Sequence, residues 1–283
     1  MTTTAETLRA LTAFEHYGSP ARAARALVDP DPALLRDAWK ALSGESRQSL
    51  KAEAADLDAR GIYAVNAGSS QFPESLMIGT RPVVPTLFCH GDIALLTAPG
   101  AGMCGSRRVS DLGLRAARAC GVEVSERGLT VVSGYARGVD TATHLAALDN
   151  GGQTVIVLAE GINSFKVKSE FSRSFDPARV LVVSQFRPTQ PWAAYAAMAR
   201  NHVIFGLGKA LVVIEAGDRG GTLAAGRDAL KRGRPVFALN FGADTPVGNR
   251  LLIDAGARAI TSRTELGHAL DRIQPESRQE TLL

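Results

Sequence analysis

Apolar and polar residues follow two different periods along the chain, and the period changes near residue 100. Before that point apolar residues recur at helical spacing, as at Leu8, Leu11 and Phe14, which predicts a small all-helical domain over residues 1–60. Residues 61–100 combine short strand-like runs with several prolines. We therefore expect this segment to connect the helices to the start of a core domain.

After residue 100, short apolar runs alternate with longer helical patterns. Runs that are apolar at successive positions are typical of strands covered on both faces. Strands separated by helices require right-handed crossovers, so the pattern predicts an α/β fold with a doubly wound, mostly parallel sheet over residues 101–265. The predicted strands are 102–105, 129–133, 154–158, 179–183, 210–214 and 235–239, and the predicted helices are 111–127, 139–149, 192–206, 221–232 and 247–255. Residues 266–283 are predicted to be a polar C-terminal tail.

Composition agrees with a globular protein of this class. The 283 residues are 45% hydrophobic and 21% charged, and no apolar run reaches the roughly 18 residues of a membrane helix. The N-terminus lacks the basic start and apolar centre of a signal peptide, so we expect a cytoplasmic protein without membrane contact. Cys89, Cys104 and Cys120 form no Cys-x-x-Cys pair, which favours small buried thiols over disulfides or a zinc site.

The net charge of +4 favours polyanionic partners but does not require them, so the position of the arginines matters more. Gly105-Ser-Arg-Arg108 follows one predicted strand, and Ser133-Gly-Tyr-Ala-Arg-Gly138 follows the next. A glycine lets the backbone approach a ligand closely, while a serine hydroxyl and an arginine fork match phosphate oxygens. The alternative for either loop is a turn with solvated arginines. Asp140 and Thr141 are predicted to cap the helix that follows.

A third glycine-bearing loop runs from Glu215 to Thr222, again between a strand and a helix. Gly220 and Gly221 would leave the N–H groups of the helix start open, and Thr222 could donate to a phosphate or cap the helix. Because the carboxyl ends of parallel strands meet at one edge, we expect the three loops to converge into an anion site.

Other motifs are weaker. Gly100-Ala-Gly102-Met-Cys-Gly105 has the spacing of a dinucleotide fingerprint, but the helix begins only after Arg108, so Gly102 and Gly105 are predicted to flank a strand instead. Gly206-Leu-Gly-Lys209 lacks the spacing of a P-loop. His144 has no second ligand at metal spacing and is predicted to be a hydrogen-bonded packing residue. Neither a cofactor nor a metal is predicted.

A basic loop and a helix end could widen the anion site. Lys166 and Lys168 follow a strand end with an aromatic residue nearby, a combination suited to the phosphates and bases of a single strand. A solvated basic loop explains them equally well. Arg200, in Arg200-Asn-His202, could extend the same surface.

These loops, in this order, resemble the DprA/Smf family of DNA-processing proteins. The matching residues are Phe72-Pro-Glu-Ser-Leu76, Gly105-Ser-Arg107, Ser133 to Asp140 with His144, Gly151-Gly152, Glu215-Ala216, Gly233-Arg234, Asn249-Arg-Leu-Leu252 and Gly256-Ala257. The resemblance implies a Rossmann-like core behind a small helical domain, binding of single-stranded DNA, homodimers, and transfer of the DNA to a RecA-type recombinase. The phosphate-facing roles carry over onto Gly105, Ser106, Arg107, Ser133, Gly134, Arg137 and Gly138, and by position onto Gly220, Gly221 and Thr222.

Several motifs depart from the family pattern. Ser184-Gln-Phe186, Arg200-Asn-His202, Gly220-Gly-Thr222 and the residues around Asn240-Phe241 each differ from the usual family residues. No winged-helix domain, which many members carry, is expected after residue 266. These departures indicate a divergent member. The full set of predicted phosphate or nucleic-acid ligands is Gly105, Ser106, Arg107, Arg108, Ser133, Gly134, Arg137, Gly138, Lys166, Lys168, Arg200, Gly220, Gly221 and Thr222.

A second function class stays open. LOG-like nucleoside-monophosphate phosphoribohydrolases and related nucleotide sensors carry glycine-rich loops on a similar sheet, with a catalytic glutamate in a Gly-Gly-x-Gly-Thr-x-x-Glu motif. Here Gly220-Gly-Thr222 is followed by Leu-Ala-Ala225, so the carboxylate position is apolar. The resemblance therefore favours a non-catalytic single-stranded DNA-binding protein over a hydrolase.

Overall fold

The computed structural model describes residues 3–29 and 31–272, which form two compact units. The first unit contains the described residues up to Leu96 together with Ile156–Ser169 and Asp176–Val203. The second unit contains Thr97–Val155, Glu170–Phe175 and the described residues from Ile204 onward. Within the described residues, no helix is both long enough and apolar enough to cross a membrane.

Helices and strands alternate along most of the chain. The helices are α1 (Thr3–Tyr17), α2 (Pro20–Val28), α3 (Ala33–Ala41), α4 (Gly44–Ala59), α5 (Asp111–Glu126), α6 (Val139–Asp149), α7 (Ala194–Ala199), α8 (Asn201–Leu207), α9 (Gly221–Lys231), α10 (Val247–Asp254) and α11 (Arg263–Asp271). The strands are β1 (Ile62–Asn66), β2 (Met77–Ile78), β3 (Arg81–Pro82), β4 (Thr86–Gly91), β5 (Gly100–Cys104), β6 (Thr130–Ser133), β7 (Thr154–Val157), β8 (Val180–Ser184), β9 (Leu211–Val213), β10 (Val236–Leu239) and β11 (Arg258–Ile260).

The first unit packs the N-terminal helices against antiparallel strands. Strand β4 pairs with β1 on one side and β8 on the other. The buried hydroxyl of Thr7 in α1 accepts the backbone N–H of Ala64 in β1 at 3.0 Å. Helix α1 also packs against α2, α3 and α4, so the helices and these strands form one unit. The predicted boundary near residue 60 is therefore not a boundary between compact units.

The second unit is built on parallel strands in the order β6-β5-β9-β10-β11. Helices α5, α6 and α11 cover one face, where Met103, Val131 and Val212 are among the core residues. Helices α9 and α10 pack against β9 and β10 on the other face. This is a doubly wound sheet, so the predicted α/β class, the parallel sheet and the N-terminal helices are confirmed.

Most predicted elements match the observed ones within two residues at each end. The predicted helix 192–206 is wrong: it is two short helices, α7 and α8, which meet at Arg200. The predicted tail from residue 266 is also wrong at its start, because α11 continues to Asp271 and buries Leu266 and Leu270. Residues 273–283 lie outside the described residues.

Candidate functional site

The three predicted loops leave neighbouring strands of the second unit. Strand β5 lies between β6 and β9, with Gly102 paired to Val132 and Cys104 paired to Val213. All three strands run in the same direction, and adjacent strands are about 4.8 Å apart. The loops that begin at Gly105, Gly134 and Ile214 therefore lie at one edge of the sheet, as the sequence predicts.

The first two loops are joined directly. Val139, the first residue of α6, donates its backbone N–H to the carbonyl oxygen of Ser106 at 3.3 Å. Gly138 has a φ of +82°, and a Cβ there would overlap the carbonyl oxygen of Ser106. A Cβ on Gly105 would overlap the side chain of Val139. Glycine at both positions thus allows the loops to touch through their backbones.

The exposed groups of these loops are mostly arginines. Arg107, Arg108 and Arg137 are all exposed. The hydroxyl oxygen of Ser106 accepts the backbone N–H of Arg108 at 3.1 Å, which leaves the hydroxyl proton available for donation. Guanidinium forks and a hydroxyl on one loop suit a phosphate better than a neutral ligand.

The residues at the start of the second loop are buried and stabilise the loop through hydrogen bonds. Ser133 is fully buried, and its hydroxyl donates to the carbonyl oxygen of Met103 at 2.8 Å. The carbonyl oxygen of Gly134, also buried, lies 2.7 Å from Nε2 of His144, whose Nδ1 lies 2.5 Å from the hydroxyl of Thr154. The prediction of Ser133 as a phosphate ligand does not fit this position, because its hydroxyl is buried and engaged within the protein. The carbonyl oxygen of Gly134 is engaged by His144, and the role of Gly134 as a phosphate ligand stays a prediction. The prediction of His144 as a hydrogen-bonded packing residue is confirmed.

Asp140 and Thr141 do not cap α6 as predicted. Both lie inside the helix, whose N-cap is Gly138 without a side-chain hydrogen bond. Asp140 instead accepts the backbone N–H of Ala136 at 3.1 Å, and Thr141 donates its hydroxyl to the carbonyl oxygen of Ala136 at 2.8 Å. The two side chains therefore fold the loop back onto the helix and fix the backbone that carries Arg137.

The start of α5 is already occupied by a carboxylate. Ser110 caps this helix by accepting the N–H of Gly113 at 3.0 Å. Glu215, from the third loop, accepts the hydroxyl of Ser110 at 2.7 Å and its N–H at 3.1 Å. A negative side chain thus fills the position that an anion would take at this helix start.

The start of α9 is open in comparison. Its N-cap is Gly220, with a φ of +110° and no side-chain cap, and both Gly220 and Gly221 are exposed. Thr222 is half-buried in the first turn of α9. Free N–H groups and the helix dipole favour an anion at such a helix start.

Asn249 holds the third loop in place and was not predicted as a site residue. It is fully buried and accepts the N–H of Ala216 at 2.8 Å. Its amide donates to the carbonyl oxygens of Ile214 at 3.0 Å and Leu239 at 2.8 Å. The only signal in the sequence was its place in the family motif, since a single asparagine in a helix carries no positional information.

The remaining predicted ligands belong to the first unit. Lys166 is exposed and Lys168 is half-buried. Arg200 is only 8% exposed, because it lies four residues after the fully buried Ala196 on the inward face of α7. A guanidinium buried in this way presents little surface to a phosphate, so Arg200 does not fit the predicted basic track.

The described part of the chain holds its three cysteines and Gly102 in the protein interior. It contains no group of three or more His, Cys, Asp or Glu side chains arranged around a possible metal position. Cys89, Cys104 and Cys120 are free and buried, as predicted. Gly102 lies inside β5 instead of flanking it, and a Cβ there would crowd the carbonyl oxygens of Ala210 and Ile204. That glycine therefore serves strand packing.

A doubly wound parallel sheet with arginine- and glycine-bearing loops at its carboxyl edge defines a Rossmann-like α/β protein. Residues 64–271 match the family model of DNA recombination-mediator protein A, and the chain belongs to that family.

Curated relatives and solved structures agree with this assignment. The chain is 33% identical over 240 residues to protein Smf of Escherichia coli, covering 82% of this chain and 63% of that protein. It is 35% identical over 179 residues to the DNA processing protein DprA of Streptococcus pneumoniae, covering 62% of this chain and 63% of that protein. The chain thus spans less than two-thirds of the length of these curated relatives.

Two solved structures share the fold. The crystal structure of DprA from Streptococcus pneumoniae is similar with a TM-score of 0.67 at 28% identity, covering 93% of this chain and 92% of that one. DprA from Helicobacter pylori is similar with a TM-score of 0.65 at 21% identity, covering 75% of this chain and 96% of that one. The latter structure is described as giving insight into a single-stranded DNA binding mode of that protein.

Proposed function

We propose that this chain is a DNA-processing protein that binds single-stranded DNA without catalysing a reaction on it. The phosphates are held by Ser106, Arg107 and Arg137 in the two joined loops, with Arg108 beside them, and by the open start of α9 at Gly220 to Thr222. Gly105 and Gly138 allow the close backbone approach, and Ser133, Gly134 and His144 support the loop from inside.

The single observation that carries this proposal is the bond between Val139 and Ser106. It joins two loops that each carry an exposed arginine, so that Arg107 and Arg137 belong to one rigid backbone arrangement. Guanidinium groups carried on this fixed backbone, together with an open helix start, suit the binding of phosphate without base-specific contacts. The family membership and the single-stranded DNA binding of the Helicobacter pylori relative support DNA as the source of the phosphates.

The absence of catalysis is part of the proposal. LOG-like hydrolases need a glutamate one turn into the helix that follows their glycine-rich loop, and this chain has Ala225 there, 4% exposed and packed in the core. A buried methyl group cannot donate or accept the proton of a glycosidic cleavage. This observation supports a binding protein over the nucleotide hydrolase.

The proposal extends to the biological setting that the family resemblance implies. In this setting, the chain acts in the cytoplasm as a homodimer and passes single-stranded DNA to a RecA-type recombinase. Sedimentation of the protein alone and with a purified recombinase tests both assemblies independently of DNA binding.

Fluorescence anisotropy tests the DNA-binding function. A labelled oligo-dT strand is titrated with the full chain over a salt series, with unlabelled duplex as competitor. We expect salt-sensitive binding that prefers the single strand, because an extended flexible backbone can follow the loops more closely than a duplex can. No binding at low salt would overturn the proposal. Nucleoside monophosphates would then be titrated by calorimetry to test the alternative of a nucleotide-binding protein.

A further inference from the structure

Four helices of the second unit begin shortly after a parallel strand has ended. Helix α5 follows β5, α6 follows β6, α9 follows β9 and α10 follows β10. Their N-termini therefore lie at the sheet edge that carries the three loops. Because each N-terminus presents backbone N–H groups and a partial positive charge, each is a position that a phosphate of the strand could take.

Oxygen atoms of the protein itself occupy three of these four helix starts. At α6 the carbonyl oxygen of Ser106 accepts the N–H of Val139 at 3.3 Å. At α10 the carbonyl oxygen of Ala216 accepts the N–H of Gly248 at 3.1 Å. At α5 the acceptor is the carboxylate of Glu215, whereas α9 has no side-chain cap. Glu215 is thus the one charged group among the three acceptors.

The carboxylate of Glu215 binds the start of α5 as an anion would. Its Oε2 accepts the hydroxyl of Ser110 at 2.7 Å and the N–H of Ser110 at 3.1 Å, and its Oε1 lies 3.2 Å from the same nitrogen. Gly113, in the first turn, leaves the room for this group, since a Cβ there would overlap Oε2. The two oxygens therefore take the place of two phosphate oxygens.

The backbone on either side of Glu215 is anchored. Ile214 donates its N–H to the carbonyl oxygen of Cys104 at 3.0 Å, and Ala216 donates its N–H to the side chain of Asn249 at 2.8 Å. Glu215 itself is half-buried, so its charge is screened less than that of a fully exposed carboxylate. The fold thus holds a negative charge at the start of α5.

This occupied helix start lies next to the proposed phosphate contacts. Arg107 and Arg108 belong to the loop that leads directly to Ser110, and Ser110 is exposed. A strand held by these arginines passes close to the start of α5, where the carboxylate of Glu215 repels a phosphate. The start of α9 carries no such bound carboxylate.

We propose that Glu215 is a specificity-determining residue, which takes the place of a phosphate at the start of α5 and so directs the strand to the start of α9. This inference rests on the proposed function, because it assigns the path of the same ligand across the same site. In the native chain one of the four helix starts is open to the strand, and loss of the Glu215 carboxylate opens a second.

The salt dependence of oligo-dT binding tests the number of phosphate contacts. Glu215→Ala should bind more tightly at low salt, with a salt slope steeper by about one unit, because the donors of Ser110 become available to one more phosphate. Glu215→Gln keeps the volume and removes the charge, so we expect about threefold tighter binding at an unchanged slope.

Asp111→Ala is the matched control. Asp111 is an exposed carboxylate in the first turn of the same helix, and its removal leaves Glu215 in place on Ser110. The salt slope of this variant should equal that of the native chain, because no further donors become available to a phosphate.

Sodium formate tests the anion position without DNA. Urea unfolding is measured in sodium formate and in sodium chloride at equal ionic strength. We expect formate to raise the unfolding midpoint of Glu215→Ala more than that of the native chain or of Glu215→Gln, since the small carboxylate binds the vacated position in the folded state.

The outcomes separate this inference from the proposed function. If the native chain binds the strand but neither Glu215 variant binds more tightly, or if the slope of Glu215→Ala stays native, Glu215 has a structural role alone and the inference is overturned. Equal midpoint shifts by formate in all three proteins overturn it as well. In these cases the proposed function stands. If the native chain does not bind the strand at low salt, both proposals fail.

Discussion

Val139 donates its backbone N–H to the carbonyl oxygen of Ser106 at 3.3 Å, and this bond depends on the glycine that precedes Val139. Gly138 adopts a φ of +82°, which L side chains rarely adopt, and it lies against the carbonyl oxygens of Ser106 and Arg107. The position therefore needs glycine for two separate reasons, one conformational and one steric. A substitution there should move the two arginine-bearing loops apart.

Gly138→Ala should destabilise the protein and weaken DNA binding together. Gly151 provides a matched control, since it has a similar φ of +75° at the other end of α6 but no atom within 4 Å of its potential Cβ. Gly151→Ala is expected to cost about 1–2 kcal/mol from the backbone alone. Gly138→Ala should cost about 1–3 kcal/mol more, because of the overlap and because its ψ of −125° lies outside the left-handed helical region. Urea unfolding measures both values, and equal losses in the two variants would contradict the steric role.

Arg107→Ala should weaken binding to all single-stranded sequences and reduce the salt slope by about one unit, because a lost phosphate contact acts through counterion release. Arg118→Ala is the control, since Arg118 is exposed in the middle of α5, away from the strand-end loops. Anisotropy titrations of both variants at several salt concentrations give the slopes. An unchanged slope for Arg107→Ala would remove this residue from the site.

Asn249→Ala should destabilise the second unit by at least about 2 kcal/mol, because it leaves the N–H of Ala216 and two carbonyl oxygens without their partner in a buried position. Asn150→Ala is the control: its side chain is exposed and makes one long hydrogen bond to Ser125, so its loss should change stability by less than about 0.5 kcal/mol. Thermal and urea unfolding measure the difference. Similar stabilities of the two variants would show that Asn249 does not fix the third loop.

The fold could be predicted from local patterns because each buried strand and each helix has its own period. The runs around Val131 and Val212 are apolar at successive positions, and both prove to be strands covered on two faces. Convergence of the three loops followed from the parallel sheet alone. The break at Arg200 could not be predicted, because neither glycine nor proline interrupts the chain between Ala194 and Phe205, and only the packing turns the Arg200 side chain inward.

The site was predicted less completely than the fold, since side-chain direction depends on distant contacts. Ser133 stands in a motif that suits phosphate, yet its hydroxyl turns to Met103, which lies on the neighbouring strand. Glu215 closes the start of α5 through Ser110, a residue 105 positions away in the chain. Neither contact leaves a signal in the local sequence, although both determine which groups remain open to a ligand.

Because of Cys120, the free energy of unfolding of the protein depends on pH in the alkaline range. Burial, with a smaller contribution from Glu123, raises the pKa of this thiol from 9.0 to about 12. Between these values the unfolded chain loses the proton while the folded chain keeps it. The free energy of unfolding therefore falls as pH rises above 9.0, by up to about 1.4 kcal/mol per pH unit for one thiol.

Cys120→Ala should remove this contribution, so its stability should fall less steeply with pH than that of the native chain. Some slope should remain, because burial also raises the pKa of Cys89 and raises the pKa of Tyr63 to about 12. Urea unfolding of both proteins at several pH values above 9.0 gives the two slopes, and the comparison is unaffected by the constant cost of the cavity that alanine leaves. Parallel slopes would mean that the Cys120 thiol ionises as readily in the folded chain as in the unfolded one. That result would contradict the raised pKa that burial and the nearby Glu123 give this thiol.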